Sequence, residues 1–289
     1  MNRLTINLTS KKMMTKVPVV ILLPEARMGA APADFYQSGQ KYKVLFLLHG
    51  ASVDNYGFLT NDNLNGMLRG SSTMVVMPYG INSDFANHME FGTGYAFMDF
   101  FFEELMPFVQ TVLSGSDKAE DNYIAGYSMG GAGALLLGLH HPEKFGGIGA
   151  LGSSMRESEF LKPYLDMKGW EFRAFADANR TALPTEFGDP AYGITLKEIN
   201  MIARYDTVRD YVNSEECTWE RFPEALASEN LKELYFCCGD QDMCWEKVQL
   251  FLEYAKELGA SQVNYDVLPG LGHNAGAQCI RKMIEHFKL

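Results

Sequence analysis

The sequence predicts an α/β fold, in which helices cover both faces of a mostly parallel sheet. Short apolar stretches recur along the chain, and helical stretches separate them. Such strands are typical of a parallel sheet, because helices bury both of its faces. The first two strands are expected to form an antiparallel pair. In chain order the predicted strands cover residues 4–8, 17–23, 44–48, 74–77, 122–125, 145–151, 234–238 and 263–268.

A serine between two glycines follows the fifth predicted strand. The run Gly-Tyr-Ser-Met-Gly covers residues 126–130, and small residues that can begin a helix come next. In a sharp strand–turn–helix the serine is strained, and glycines are needed where strand and helix approach each other. Ser128 would then stand beside backbone N–H groups at a helix N-terminus. The pattern predicts a nucleophile elbow, and the competing interpretation is a glycine-rich turn that holds a serine by chance.

An acid and a histidine follow Ser128 in the chain order of an α/β-hydrolase. The next-to-last strand ends in the acidic turn 239–242, and the last strand leads into a glycine-rich loop that carries His273. A histidine on such a loop can take the serine proton while its other nitrogen faces the acid. Turn aspartates often only hydrogen-bond their own backbone, so the pattern barely separates Asp240 from Asp242.

The remaining five histidines have less suitable positions for the base. His49 precedes the serine and is expected to position the loop after its strand. His88 falls in an irregular loop, and His286 falls in the basic C-terminal helix. His140 and His141 end the helix after Ser128 and are expected to be solvated.

Acyl chemistry also needs N–H donors in place for the oxyanion of the tetrahedral intermediate. The backbone N–H of Met129 is one expected donor, and that of Ala51 is the second. Ser52 can add its hydroxyl, or it can simply belong to a turn. A serine mechanism needs no Lewis acid, and the sequence shows no His/Cys/Asp cluster at ligand spacing. We therefore expect no metal and no cofactor.

One long segment, residues 154–230, interrupts the alternation of strands and helices. We call it the insert; it is rich in aromatic and acidic residues. It is either surface decoration packed by its own aromatics or a cap over the substrate pocket. The cap is favoured by position, because the insert leaves a strand next to the predicted elbow. The chain is otherwise expected to be a single domain over residues 1–289.

Composition limits the classes of partner. A net charge of −11 disfavours nucleic acid and anionic membranes, and it fits poorly with a strongly anionic substrate. No apolar stretch is long enough to cross a membrane. Five cysteines without Cys-x-x-Cys spacing indicate free thiols in a reducing cytoplasm. The expected partner is a small-molecule ester, and homo-oligomerisation stays open.

Six segments together resemble the esterase D-like α/β-hydrolases, particularly tributyrin-type and acetyl esterases, with S-formylglutathione hydrolases and feruloyl esterases as more distant relatives. The resemblance covers most of the chain and departs from the family at Tyr79, where an acid is usual, and in the insert. The six segments are residues 47–50, 75–80, 99–107, 126–131, 239–242 and 272–273.

The resemblance implies a serine hydrolase that cleaves short-chain acyl esters. It also selects Asp242 as the acid, because the family uses the last residue of a Gly-x-x-Asp turn. A thioesterase of the S-formylglutathione hydrolase type, an acyltransferase and a non-catalytic binding protein are the alternatives. We expect Phe85, Phe91 and Tyr95 to narrow the pocket rim together with the insert.

Overall fold

An eight-stranded sheet organises the chain in the computed structural model, which describes residues 1–26, 31, 39–60, 63–88, 95–155, 158–178 and 196–289. A separate two-stranded hairpin lies beside it. The strands are β1 (Asn2–Ser10), β2 (Thr15–Leu23), β3 (Lys43–Leu48), β4 (Thr73–Pro78), β5 (Asn87–His88), β6 (Tyr95–Ala96), β7 (Asn122–Tyr127), β8 (Gly147–Leu151), β9 (Leu234–Gly239) and β10 (Val263–Leu268).

The sheet has the order β1-β2-β4-β3-β7-β8-β9-β10, with β5 and β6 forming the hairpin. β1 and β2 pair antiparallel, and β2 pairs antiparallel with β4. All strands from β4 to β10 in this order run parallel. The predicted mostly parallel sheet and the opening antiparallel pair are therefore confirmed.

Helices cover both faces of the sheet. Side chains alternate between the faces along each strand, so that Phe46 belongs to one apolar cluster and Leu47 to the other. The helices are α1 (Gly57–Thr60), α2 (Leu64–Met67), α3 (Phe97–Phe100), α4 (Met106–Val112), α5 (Met129–His140), α6 (Gly169–Ala178), α7 (Leu196–Ile202), α8 (Val208–Val212), α9 (Thr218–Ala227), α10 (Trp245–Glu257) and α11 (Gly276–Phe287). Within the described ranges, no helix has the length and apolar character needed to cross a bilayer.

The predicted strand boundaries are close to the observed ones. All of them agree within two residues; β8, for example, begins two residues after Phe145, which itself follows a 3₁₀ turn, Pro142–Lys144. The neighbours Cys237 and Cys238 point to opposite faces of β9, since they belong to different clusters.

The described part of the insert has its own small core. Helices α6, α7 and α8 and the 3₁₀ helix Glu159–Tyr164 surround a cluster that is separate from the two sheet clusters. Its buried members are Leu161, Phe172, Ala176, Ile199, Met201, Ile202, Val208 and Tyr211. Helix α9 belongs elsewhere, because Phe222 packs edge-on against Phe251 of α10 in the main core. The separate core therefore ends before α9.

A buried ion pair lies within the insert, and its arginine also contacts the main domain. Arg204, just after α7, donates two hydrogen bonds of 2.6 and 2.7 Å to the carboxylate of Glu216. The two side chains are only 14% and 5% exposed. Arg204 also contacts His88 of β5, whose other ring nitrogen donates to the carbonyl of Ser83 at 2.6 Å. A planar guanidinium with several donors suits this forked arrangement.

We expect Arg204→Ala to lower the free energy of unfolding by about 3 kcal/mol or more, because it leaves Glu216 buried without its cation. The matched control is Arg209→Ala, which removes an ion pair to Asp166 whose partners are 52% and 89% exposed. That change should cost less than about 1 kcal/mol. Urea unfolding of both variants measures the difference. Equal losses would contradict the role given to the buried pair.

Candidate active site

Ser128 lies at a sharp turn between β7 and α5 with φ 56° and ψ −119°, a conformation that L residues rarely adopt. Such backbone strain costs about 1–3 kcal/mol and persists only where the surroundings fix it. A Cβ on Gly126 would lie 2.2 Å from the carbonyl oxygen of Gly130, and one on Gly130 would lie 1.9 Å from that of Leu48. The N–H of Ser128 donates to the carbonyl of Leu151 at 2.8 Å. The run 126–130 thus forms the predicted strand–turn–helix.

The structure brings Ser128, His273 and Asp242 together. His273 Nε2 lies 2.9 Å from Ser128 Oγ. His273 Nδ1 lies 2.9 and 3.0 Å from the two carboxylate oxygens of Asp242. A carboxylate can only accept, so Nδ1 carries the proton and Nε2 offers its lone pair to the serine hydroxyl. This is the geometry of a nucleophile, a base and an orienting acid.

The environment of Asp242 keeps its carboxylate ionised. Burial by itself raises the pKa of this side chain, but hydrogen bonds from His273 and from the backbone N–H of Cys244 outweigh burial and hold the pKa below its usual range. The Cys244 N–H donates at 2.9 Å. An ionised carboxylate at this position can stabilise a protonated imidazole.

Asp240 has a different partner. It is exposed, and its Oδ1 accepts a hydrogen bond of 2.7 Å from the backbone N–H of Gly270. This is the backbone role expected of one of the two turn aspartates. The geometry therefore favours Asp242 over Asp240 as the acid, in agreement with the family resemblance.

The turn after β3 abuts the serine. A Cβ on Gly50 would lie 3.6 Å from Ser128 Cβ, so the adjacent N–H of Ala51 is close to the elbow. Among the described residues, neither this N–H nor that of Met129 donates a hydrogen bond. Ser52 adopts φ 61°, and its N–H donates to Asn82 Oδ1 at 3.0 Å. Ser52 thus belongs to the turn. The hydrogen bond from its N–H to Asn82, which fixes the turn, was not predicted from the sequence.

His49 fixes the same turn, as expected. The N–H of Gly80 donates to its Nε2 at 2.9 Å, so Nδ1 carries the proton and donates to the carbonyl of Gly50 at 2.8 Å. Burial lowers the pKa of His49, which keeps the ring neutral. Tyr79 stacks on the imidazole with ring centroids 5.3 Å apart. Tyr79, where the family usually has an acid, therefore supports the turn through ring packing.

The remaining histidines lie in other contacts. His140 is partly buried, and its Nε2 donates to the carbonyl of Glu215 at 2.9 Å, so the prediction that it is solvated was wrong. His141 contacts Glu143 at 3.1 Å. His286 stacks on Tyr235 and contacts Glu233.

Tyr127 is a site residue that the sequence analysis missed. Its hydroxyl donates to the backbone carbonyl of His273 at 2.5 Å, and the two rings are 5.2 Å apart. A Cβ on Gly152 would meet the Tyr127 ring at 2.7 Å, so a glycine there leaves room for the ring. Burial raises the pKa of Tyr127, which keeps the hydroxyl protonated as a donor. The only sequence feature that could have pointed to Tyr127 is its position directly before Ser128.

The prediction that Phe85 lines the rim of the pocket is wrong. This side chain is fully buried and packs edge-on against His49 and Phe97. Tyr95 is partly buried against the main core. Phe91 lies outside the described residues. Phe85 turns inward because its φ is 60° and because glycines at 80 and 133 leave space for its ring.

One group of potential metal ligands occurs among the described residues. It consists of Asp242, Cys244 and His273, whose ligand atoms lie within 4.8 Å of one another. This cluster was not predicted from the sequence, because Cys244 and His273 come from different loops that only the fold brings together. All five cysteines are free thiols, and Cys244 is the one that is not fully buried.

Comparisons with known proteins agree with this fold. The Esterase family profile matches residues 10–243, well over half of the chain. The acetyl esterase of Caldicellulosiruptor saccharolyticus is 29% identical over 153 residues, which is 52% of this chain and 55% of that protein. An iron(III) enterobactin esterase of Escherichia coli is 48% identical over 44 residues, 15% of this chain and 11% of that protein. The chain thus spans about half or less of the length of these two curated relatives.

Two solved structures share the fold over nearly the whole chain. Fluorophosphonate-binding serine hydrolase F of Staphylococcus aureus superposes with a TM-score of 0.74 at 23% identity, covering 99% of this chain and 98% of that one. The S-formylglutathione hydrolase FrmB of the same organism gives 0.72 at 20% identity with the same coverage. The fold is therefore that of the α/β-hydrolases. The chain belongs to the Esterase family.

The two turn acids should differ sharply on substitution. Asp242→Asn should lower kcat by about 10³- to 10⁴-fold, because the amide cannot hold the tautomer that leaves Nε2 free. Asp240→Asn should cost less than about tenfold, because its amide oxygen can still accept from Gly270. Steady-state hydrolysis of an activated ester measures both variants. A larger loss from Asp240→Asn would overturn the assignment of the acid.

Tyr127→Phe should lower kcat by about tenfold with little change in KM, because one hydrogen bond to the His273 loop is lost. Tyr123→Phe is the matched control, since Tyr123 is on the same strand and packs against Phe287 instead. Thermal unfolding of both variants separates positioning from general stability. If both variants lose activity in proportion to stability, Tyr127 does not position the histidine.

Proposed function

We propose that the chain is a serine hydrolase that cleaves carboxylic esters of short acyl chains through an acyl-enzyme. One observation carries the proposal: the Ser128 hydroxyl, the His273 imidazole and the Asp242 carboxylate form an unbroken hydrogen-bonded chain with contacts of 2.9 Å. Membership of the Esterase family and the structural likeness to serine hydrolases support it.

Acylation uses the three side chains in turn. Ser128 Oγ attacks the ester carbonyl carbon as its proton passes to His273 Nε2. The Asp242 carboxylate, ionised because its pKa is low, stabilises the imidazolium that forms. The N–H groups of Ala51 and Met129 donate to the oxyanion. When the tetrahedral intermediate collapses, the imidazolium gives its proton to the departing alkoxide.

Deacylation repeats the sequence with water as the nucleophile. His273 removes a proton from water as it attacks the acyl carbon, and the same N–H groups receive the second oxyanion. Collapse returns the proton to Ser128 Oγ and releases the carboxylic acid. An alcohol in place of water would give acyl transfer through the same groups.

The substrate end of the site is proposed to be apolar and narrow. Val53, Ile81 and Met243 are exposed apolar side chains that follow the carboxyl ends of β3, β4 and β9, at the edge where Ser128 lies. Helix α7 of the insert contacts the first turn of α10, the helix that follows the acid turn, since Glu198 pairs with Lys247 at 3.6 Å. The insert is therefore proposed to act as a cap within a single domain of residues 1–289. With Phe85 in the core, the short-chain proposal depends on the insert alone.

A thioester substrate is the second candidate, because the fold is shared with an S-formylglutathione hydrolase. Serine attack and oxyanion binding are common to both substrates. The net charge of −11 disfavours an anionic glutathione thioester, so a neutral ester is preferred. A cytoplasmic location stays a prediction, supported by five free thiols.

The proposal is tested with p-nitrophenyl esters from acetyl to decanoyl and with S-formylglutathione in parallel. We expect kcat/KM to peak at acetyl to butyryl and to fall by octanoyl, because each methylene adds about 0.8 kcal/mol only where it finds room. Ser128→Ala is the control and should lose several orders of magnitude.

Three outcomes would change the proposal. If kcat/KM kept rising through octanoyl, the proposal that the insert acts as a cap would be wrong. A strong preference for the thioester would favour the second candidate. Absence of any serine-dependent turnover would indicate a binding protein.

A further inference from the structure

The thiol of Cys244 lies close to the side chains of Asp242 and His273, and the proposed reaction does not use it. Cys244 lies two residues after Asp242, and its backbone N–H is already bonded to the Asp242 carboxylate at 2.9 Å. Its ligand atom, a ligand atom of Asp242 and one of His273 all lie within 4.8 Å of one another. Cys244 is partly exposed, whereas the other four cysteines are buried. The thiol therefore adds a third kind of donor to an acid–histidine pair.

This donor set suits soft and borderline divalent cations. Zn²⁺ binds thiolate, imidazole and carboxylate with tetrahedral geometry, and thiolate ligands disfavour Ca²⁺ and Mg²⁺, which take oxygen ligands. Metal–ligand distances of about 2.0–2.3 Å place neighbouring donor atoms about 3.3–3.8 Å apart in a tetrahedron. His273 Nδ1 and Asp242 Oδ2 are now 2.9 Å apart, so they must separate slightly. The thiol sulfur, now within 4.8 Å of the other two donor atoms, has to approach them by about 1.2 Å or less.

We propose that Zn²⁺ or Cd²⁺ binds the Asp242 carboxylate, the Cys244 thiolate and Nδ1 of His273, and that binding switches the enzyme off. The fourth position of the tetrahedron is left for water. The loss of activity rests on the proposed function, whereas binding of the metal does not.

The chemistry of inhibition follows from the imidazole tautomer. The metal forms bonds to sulfur, nitrogen and oxygen, the thiol proton goes to solvent, and no atom changes oxidation state. The ring proton leaves Nδ1 and the ring is reprotonated at Nε2 through solvent. Nε2 then has no lone pair to accept the proton of Ser128, and Asp242 no longer orients the ring. The metal is thus an inhibitor rather than a cofactor, and a chelator should restore full activity.

The test is a titration of the chelator-treated protein with Cd²⁺, read by calorimetry and by the ultraviolet absorbance of cadmium–thiolate bonds. We expect one Cd²⁺ per chain and a thiolate absorbance that rises with occupancy. The rate of p-nitrophenyl acetate hydrolysis should fall in parallel and recover on chelation. Mg²⁺ at the same concentrations should neither bind nor inhibit.

Three variants locate the site. Cys244→Ser should weaken Cd²⁺ binding by about tenfold or more, since it removes the soft ligand, with inhibition expressed relative to its own metal-free rate. Cys217→Ala, which removes a fully buried thiol, should behave like the natural protein. Ser128→Ala should lose several orders of magnitude in turnover but should keep its Cd²⁺ affinity within about twofold, because serine is not a ligand.

Unchanged Cd²⁺ affinity in Cys244→Ser, or binding without a thiolate absorbance, would overturn the proposal. Equal inhibition by Mg²⁺ would do the same. If the natural protein hydrolyses no ester, the calorimetric and absorbance titrations still decide whether the metal site exists. Failure of the proposed function is thereby distinguished from failure of the metal site.

Discussion

The close approach of β7 to the first turn of α5 is the constraint on which the rest of the site depends. A Cβ on Gly126 would fall 2.2 Å from the carbonyl oxygen of Gly130 in α5, and one on Gly130 would fall 1.9 Å from that of Leu48 at the end of β3. This contact forces the connecting residue, Ser128, to positive φ, at an energetic cost of about 1–3 kcal/mol that the surrounding sheet must offset. The result is a hydroxyl held at the carboxyl edge of the sheet, next to the first N–H groups of a helix.

The groups around this hydroxyl come from the segments that follow other strands of the sheet. Two hydrogen bonds join the turn after β3 to the loop after β4. The N–H of Gly80 donates to His49, and the N–H of Ser52 donates to Asn82. Asp242 follows β9 and His273 follows β10, and His273 is held by Asp242 and by the hydroxyl of Tyr127. Parallel strands end at a common edge, so residues from distant parts of the sequence meet there. The same convergence brings the Cys244 thiol beside the acid and the histidine.

Much of this arrangement could be predicted from local sequence. The strands could be identified because buried parallel strands are apolar throughout. The elbow could be identified because its first glycine, Gly126, is required by a local contact with Gly130. Asp242 could not be separated from Asp240 without the family resemblance, since only their partners differ. Tyr127, Asn82 and the inward turn of Phe85 were missed because their partners are remote in sequence. The catalytic roles of the residues stay predictions.

The central claim is that Ser128 forms an acyl-enzyme, and intact mass spectrometry tests it most directly. The protein is mixed with a slowly hydrolysed p-nitrophenyl ester and quenched in acid within the first turnover. The account predicts one added acyl group per chain, located by peptide mapping on Ser128 and absent from Ser128→Ala. It also predicts that the acyl group accumulates in His273→Ala only very slowly. Ester hydrolysis by the natural protein with the acyl group on another residue, or at full rate in Ser128→Ala, would contradict it.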